Sequence, residues 1–246
     1  MKKRFWGPAC YLLTILGILA AAHLGSRTAT VLAQSGPVAR PHCLIVDPGH
    51  GGEDGGALSL TGRRESEYNL EIALRLDDLL HLLGYETKMT RKTDTAIYTT
   101  GQTIAQKKVS DLKERVRIVE ETPGAVLLSI HQNTFSDGRY SGAQVFYAGT
   151  NDSQALAEMM QAALVKSLNP GSNRKAKKSD GVYLMERITR PGVLIECGFL
   201  SNREEEARLG SATYQKQLCC VIAATVAGHI EIQDKQRDSA TNTVNY

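Results

Sequence analysis

The sequence predicts a three-layer α/β domain: one twisted, mostly parallel sheet with helices on both faces. Three observations point there. Short apolar runs alternate with helix-period segments between residues 42 and 232, the order expected where helical crossovers join parallel strands. The runs themselves are apolar at successive positions, as in CLIV at 43–46 and AVLLSI at 125–130, which suits strands buried on both faces. A chain of 246 residues, 42% hydrophobic and 22% charged, is ample for one core and short for two.

Each element follows in order. Residues 1–35 open with Lys2, Lys3 and Arg4, and then run from Phe5 to Leu24 broken only by glycine, Pro8, Thr14 and His23. This reads as a signal peptide or a retained N-terminal membrane anchor, and either exports the body. Val31-Leu32-Ala33 offers a small-residue cleavage site. Residues 36–41 are a linker. A strand over 43–46 ends in Asp47-Pro48-Gly49, and a helix over 67–83 carries Leu70, Ile72, Ala73, Leu76, Leu79, Leu80 and Leu83 before Gly84 stops it. A strand over 85–90 leads into 91–110, a long connection without a period, and such loops are functional or mobile. A helix over 111–121, capped by Asp111, precedes Pro123-Gly124. Strands follow at 125–130 and 143–147, then a helix at 152–168, strands at 181–185 and 193–197, and helices at 204–209 and 214–232. Residues 233–246 are polar and expected to be disordered.

Charge and cysteine content exclude other classes. The formal charge is +3, but the first 35 residues hold four bases and no acid, leaving 25 bases against 26 acids in the rest. A near-neutral body has no basic stripe with which to displace phosphate counterions, so nucleic acid is not an expected partner. Cys43 and Cys197 sit in apolar runs, Cys219-Cys220 in a helical one, and there is no C-x-x-C pair. Neither a disulfide framework nor a zinc ribbon is expected.

In open α/β sheets the chemistry gathers at the carboxyl ends of strands. His50 lies just past the first strand, His131 ends the strand at 125–130, and Glu196 ends the run 193–195. Glu65 precedes the first helix and can reach back over the same rim. Singly these are weak signals. A lone histidine after a strand is more often a hydrogen-bonded structural residue, and Glu65 also suits a helix first turn. Glu196 is harder to dismiss, because a carboxylate within GVLIECGFL carries a steep desolvation cost unless it is paired or working. Together, two imidazoles and a carboxylate make a donor set for Zn2+, and a further carboxylate can move the proton of an attacking water. No G-x-S-x-G elbow offers a nucleophile, and the glycine-rich stretch 49–56 fits neither phosphate-loop spacing.

Six ordered motifs carry a resemblance: DPGHGGEDGG at 47–56, ESEYNL at 65–70, MTR at 89–91, SIHQN at 129–133, GAQVFY at 142–147 and LIECGFLSN at 194–202. They resemble the zinc-dependent N-acetylmuramoyl-L-alanine amidases of the type-3 family over roughly residues 43–232. The resemblance implies His50, Glu65 and His131 as zinc ligands, Glu196 as the catalytic acid/base and peptidoglycan as the substrate. KKVSDLK at 107–113, and a single domain behind a membrane segment, are similar to the spore-cortex amidases of endospore formers. Those enzymes remove the stem peptide so that muramic-δ-lactam can form. Extracytoplasmic action in the cell wall or the forespore intermembrane space is therefore expected, with contact to the membrane through the N-terminal segment. With no wall-binding module, an activating protein partner is also expected. Gln132, where the family more often has a small residue, flanks a ligand and bears on substrate fit. The alternatives are another zinc peptidoglycan hydrolase, a peptidase or deacetylase, or a non-catalytic wall-binding protein on the same fold.

Overall fold

A computed structural model describes residues 42–243. The expected targeting segment at 1–35 and linker at 36–41 lie outside the described residues. Among the described residues no helix is long and apolar enough to cross a membrane.

Six strands form one sheet: β1 (Cys43–Pro48), β2 (Glu86–Met89), β3 (Ala125–Asn133), β4 (Gln144–Tyr147), β5 (Lys177–Lys178) and β6 (Gly192–Phe199), in the order β2-β1-β3-β6-β4-β5. β2, β1, β3 and β6 run parallel, while β4 is antiparallel to β6 and parallel to β5. The helices are α1 (Glu65–Leu82), α2 (Ile104–Glu121), α3 (Asn151–Leu168), α4 (Tyr183–Arg187), α5 (Arg203–Leu209) and α6 (Ala212–Thr243). The expected three layers are present. Leu44, Val46, Leu128, Ile130 and Ile195 share a core with α1, α3 and α6, whereas Cys43, Ile45, Leu127 and Leu194 pack with Val119 of α2 and Leu184 and Met185 of α4. On α1, Ile72, Leu76 and Leu80 form one fully buried stripe, each contributing about 1.5–3 kcal/mol by leaving water. The described cysteines are unpaired; Cys43, Cys197 and Cys219 are buried and Cys220 is exposed.

Several expectations need correction. Helix α2 begins at Ile104, ahead of the expected Asp111, because Thr103 and Gln106 form a capping box. Asp111 is not a cap. Its carboxylate accepts from the Ile97 amide and from Arg115 Nε, both at 2.7 Å. Ser110 Oγ accepts from the amides of Thr99 and Thr100, so the long connection is tied to α2. The strand expected at 181–185 is instead helix α4, since a five-residue apolar run has no readable period and packing under the sheet decides it. The tail expected to be disordered from Gln233 continues α6 to Thr243. Once the core fixes the first turns, each further residue adds a hydrogen bond, and the Lys235–Glu231 and Arg237–Asp234 pairs support the extension. Finally, β3 runs to Asn133, so His131 sits within the strand and not past its end, while Glu196 lies inside β6, which extends the expected strand to Phe199.

Candidate metal centre

The carboxyl ends of β1, β3 and β6 share one rim with the start of α1. His50 follows β1 in a left-handed turn (φ 60°), the one described non-glycine residue at positive φ. Such backbone is strained for a β-carbon and persists only where its surroundings hold it. Two buried arginines do so. Arg115 Nη2 donates to the His50 carbonyl at 2.8 Å and Nη1 to the Pro48 carbonyl at 3.0 Å. Arg91 donates to Pro48 O and Gly49 O, both at 3.0 Å, and to Ser66 O at 2.9 Å. The buried Asp47 carboxylate balances Arg115 and accepts from the hydroxyls of Thr90 and Ser129 at 2.6 and 2.7 Å. Burial opposes its ionisation, but the Arg115 guanidinium and those hydroxyls hold it below the usual carboxylate range. Arg91 has less compensation: burial and the charge of Arg115 push it down to about 10.

Glu65 opens α1, whose N-terminus has no side-chain cap. Loop carbonyls replace the cap, with Ala57 O accepting from the Glu65 amide and Gly55 O from the Ser66 amide at 2.8 and 3.1 Å. The loop carrying His50 is thus stitched to the helix carrying Glu65. The buried Glu65 carboxylate also accepts from the Ala57 amide at 3.0 Å, the Gln132 amide at 3.1 Å and Asn69 Nδ2 at 3.2 Å.

The Glu65 carboxylate bridges two imidazoles. His50 Nε2 is 3.3 Å from Oε2, and His131 Nδ1 is 3.0 Å from Oε1. The rings stand edge-on with centroids 5.0 Å apart. One donor atom from each of the three residues lies within 4.8 Å of the others. Burial works against the charge on Glu65, yet the His131 and His50 contacts hold it well below the carboxylate range. His50, despite its own burial, is held up at about 9 by Asp54 and Glu65.

The glycine-rich stretch makes room for these groups. A Cβ on Gly49 would lie 2.2 Å from the His131 ring, and one on Gly56 would lie 2.5 Å from Glu65 Oε2 and 2.8 Å from His50. The cradle and its two-imidazole, one-carboxylate donor set fit a divalent cation with nitrogen and oxygen ligands.

Glu196 pairs with His131 across the β3–β6 register, so both side chains leave the same face of the sheet. Its Oε2 is sealed from solvent and has no hydrogen-bond partner among the described residues. Burial pushes its carboxyl up to about 7, with the charge of His131 pulling against it. A group in this position holds a proton more readily than an ordinary glutamate.

The structure therefore brings the four sequence-selected residues to one rim. Gln132 differs from expectation. It is 3% exposed and turns away from His131, its Nε2 donating to Asn69 Oδ1 at 3.2 Å, so it braces α1 and does not border the cleft. Sequence reasoning missed Asp47, Arg91, Arg115 and Asn69 as the supports of the rim. Asp47, Arg91 and Asn69 lie inside the quoted motifs, but Arg115 looks like any helix-surface base until its burial is seen.

The family model described as N-acetylmuramoyl-L-alanine amidase matches residues 44–227. The chain is 38% identical over 182 residues to the germination-specific N-acetylmuramoyl-L-alanine amidase of Bacillus subtilis, which covers 73% of this chain and 76% of that protein. It is 26% identical over 238 residues to AmiA of Escherichia coli, at 79% and 78% coverage. Among solved structures, the CwlD amidase from Clostridioides difficile, in complex with the GerS lipoprotein, superposes with a TM-score of 0.74 at 35% identity, covering 78% of this chain and 99% of that one.

Proposed function

The chain belongs to the N-acetylmuramoyl-L-alanine amidase family and is an amidase of peptidoglycan, and on that premise we propose that it is a zinc enzyme whose ligands are His50, Glu65 and His131 and whose acid/base is Glu196. The bond cut is the amide between the lactyl group of N-acetylmuramic acid and L-alanine. One observation carries the reading: three donors converge on one point within 4.8 Å of one another, beside a carboxylate with a sealed, unpartnered oxygen.

Zinc, when bound, would acidify a water and polarise the scissile carbonyl. The protein's residues supply the rest. Glu65, kept ionised by its neighbours, offers one oxygen toward each imidazole. The arginine-propped turn holds His50 at the rim, and strand β3 holds His131. Glu196 takes a proton from the attacking water and returns it to the leaving alanine nitrogen.

The likeness to a germination-specific amidase supports a role in spore-cortex maturation, where stem-peptide removal precedes formation of muramic-δ-lactam. The complex of CwlD with a lipoprotein supports an activating protein partner for this chain. Membrane tethering through residues 1–35 belongs to the same proposal.

The test is mass spectrometry of muropeptides after digestion with the full chain. An amidase leaves an intact glycan and a new free L-alanine amine. A peptidase or a deacetylase leaves other masses, and either result would overturn the bond assignment. Glu196→Gln should retain zinc and lose about 100- to 10,000-fold in turnover, the span of general acid–base catalysis. Glu65→Ala should lose the metal. The reverse pattern would exchange their roles.

A further inference from the structure

The reading above gives no role to Asp54. Its Oδ2 lies 3.0 Å from His50 Nδ1, while His50 Nε2 faces Glu65 at 3.3 Å. The two nitrogens occupy opposite edges of the ring, so Asp54 stands outside the donor cluster and behind it. The carboxylate is itself fixed. Lys108 Nζ of α2 reaches the same Oδ2 at 3.1 Å, and Gly56 N donates to Oδ1 at 3.4 Å. Backbone bonds between Gly51 and Asp54, at 2.8 and 3.3 Å, close the loop around it. Next to this, Lys107 Nζ holds Glu53 at 2.8 Å.

His131 is arranged differently. It turns Nδ1, the opposite nitrogen, toward Glu65. Its far edge lies against Gly49, where even a methyl group would be 2.2 Å from the ring. Among the described residues no carboxylate other than Glu65 lies in ion-pair contact with His131. The neutral imidazole has two tautomers, and only the one with its proton on Nδ1 gives His50 a lone pair on Nε2. Packing sets the orientation of His131. The side chain that can set both orientation and tautomer for His50 is Asp54.

We infer that Asp54 is the positioning residue of the metal centre: by accepting the Nδ1 proton of His50 it commits Nε2 to the metal, and Lys108 holds Asp54 in place from α2. Carboxylates behind ligating histidines act this way generally, and their loss costs about 10–100-fold in metal affinity or activity. The competing reading is a partly exposed ion-pair chain that contributes almost nothing. The inference rests on His50 being a ligand, so the experiment includes a variant that tests this separately.

The full-length chain is compared with Asp54→Ala, Asp54→Asn, Lys108→Met and His50→Ala. The measurements are zinc affinity by chelator competition, the unfolding midpoint of the metal-free protein, and the nitrogen-15 shifts of the His50 ring in zinc-free protein at a pH high enough for the ring to be neutral. Asp54→Ala should weaken zinc by about 10–100-fold, leave the metal-free midpoint near that of the parent, and shift His50 away from the Nδ1-protonated form. Asp54→Asn, which keeps an acceptor oxygen, should recover part of the affinity, and Lys108→Met should lose less than Asp54→Ala. Unchanged zinc affinity in Asp54→Ala, while His50→Ala loses zinc, overturns the positioning role alone. Parental affinity in His50→Ala overturns the ligand assignment and this inference with it. If Asp54→Ala fails to fold, Asp54→Asn and Lys108→Met decide: parental affinity and an unshifted His50 ring in both overturn the role.

Discussion

His50 and His131 face the same carboxylate, but the protein carries them in different ways. His131 sits inside β3, where ladder pairing with β6 fixes the backbone and the alternation of a strand fixes the direction of the side chain. His50 sits on a left-handed turn that Arg91 and Arg115 hold from two other places in the chain, with Asp47 balancing the charge of Arg115. The strand-borne arm needs little beyond the sheet that any α/β domain builds. The loop-borne arm depends on a buried charge network and is exposed to substitutions far from the donor cluster.

The largest effect should follow from breaking the loop-borne arm. Arg115→Met leaves Asp47 buried without its counter-charge and the His50 carbonyl without its donor, while Pro48 O keeps Arg91. Removing one partner of a buried pair costs about 3–5 kcal/mol. Urea unfolding measures the loss, and hydrogen exchange should show the amides of 49–52 opening first. A loss under about 1 kcal/mol, well short of that range, would mean that the turn holds itself and that the two arms do not differ.

The strand-borne arm can be disturbed by sterics alone. Gly49 is not at positive φ, so Gly49→Ala adds no backbone strain, yet its Cβ would meet the His131 ring at 2.2 Å. Overpacking of this kind costs about 1–3 kcal/mol, and displacement of the ring should weaken zinc binding as read by calorimetric titration. Parental affinity would show that His131 can shift without cost, against the rigidity claimed for the strand.

The smallest effect should come from Gln132→Leu. This change removes the bond to Asn69, but it also removes an acceptor, Gln132 Oε1, that is buried without a partner. The two terms oppose each other, each on the order of 1 kcal/mol, so the melting temperature should change little and zinc affinity should stay at the parental value. A drop in affinity matching that of Gly49→Ala would make the Gln132–Asn69–Glu65 chain a third support of the centre.

The candidate site was more legible in the sequence than several of the elements around it. His50, Glu65, His131 and Glu196 are weak signals singly and stand out only together, as a donor set with a further carboxylate, and through the six ordered motifs that carry the family resemblance. The start of α2 was hidden because residues 104–110 show no apolar period, and a capping box decided it. Helix α4 was read as a strand because GVYLM suits either conformation when taken alone. The continuation of α6 through a polar tail was missed because composition alone does not reveal a helix already nucleated by its buried upstream turns.

The sequence by itself determined the layered α/β class and the single core, which follow from local periodicity, and it singled out the four rim residues through their joint occurrence and the motifs that carry the family resemblance. Only the tertiary structure decided which nitrogen each imidazole presents, that Arg115 is a buried prop instead of a surface charge, that Gln132 turns inward, and that Asp54 stands behind His50. The physical reason is range. Periodicity and desolvation act within a few residues, whereas Arg115 meets Asp47 across 68 positions and His131 meets Glu65 across 66. Contacts of that span exist only once the sheet has set its strand order.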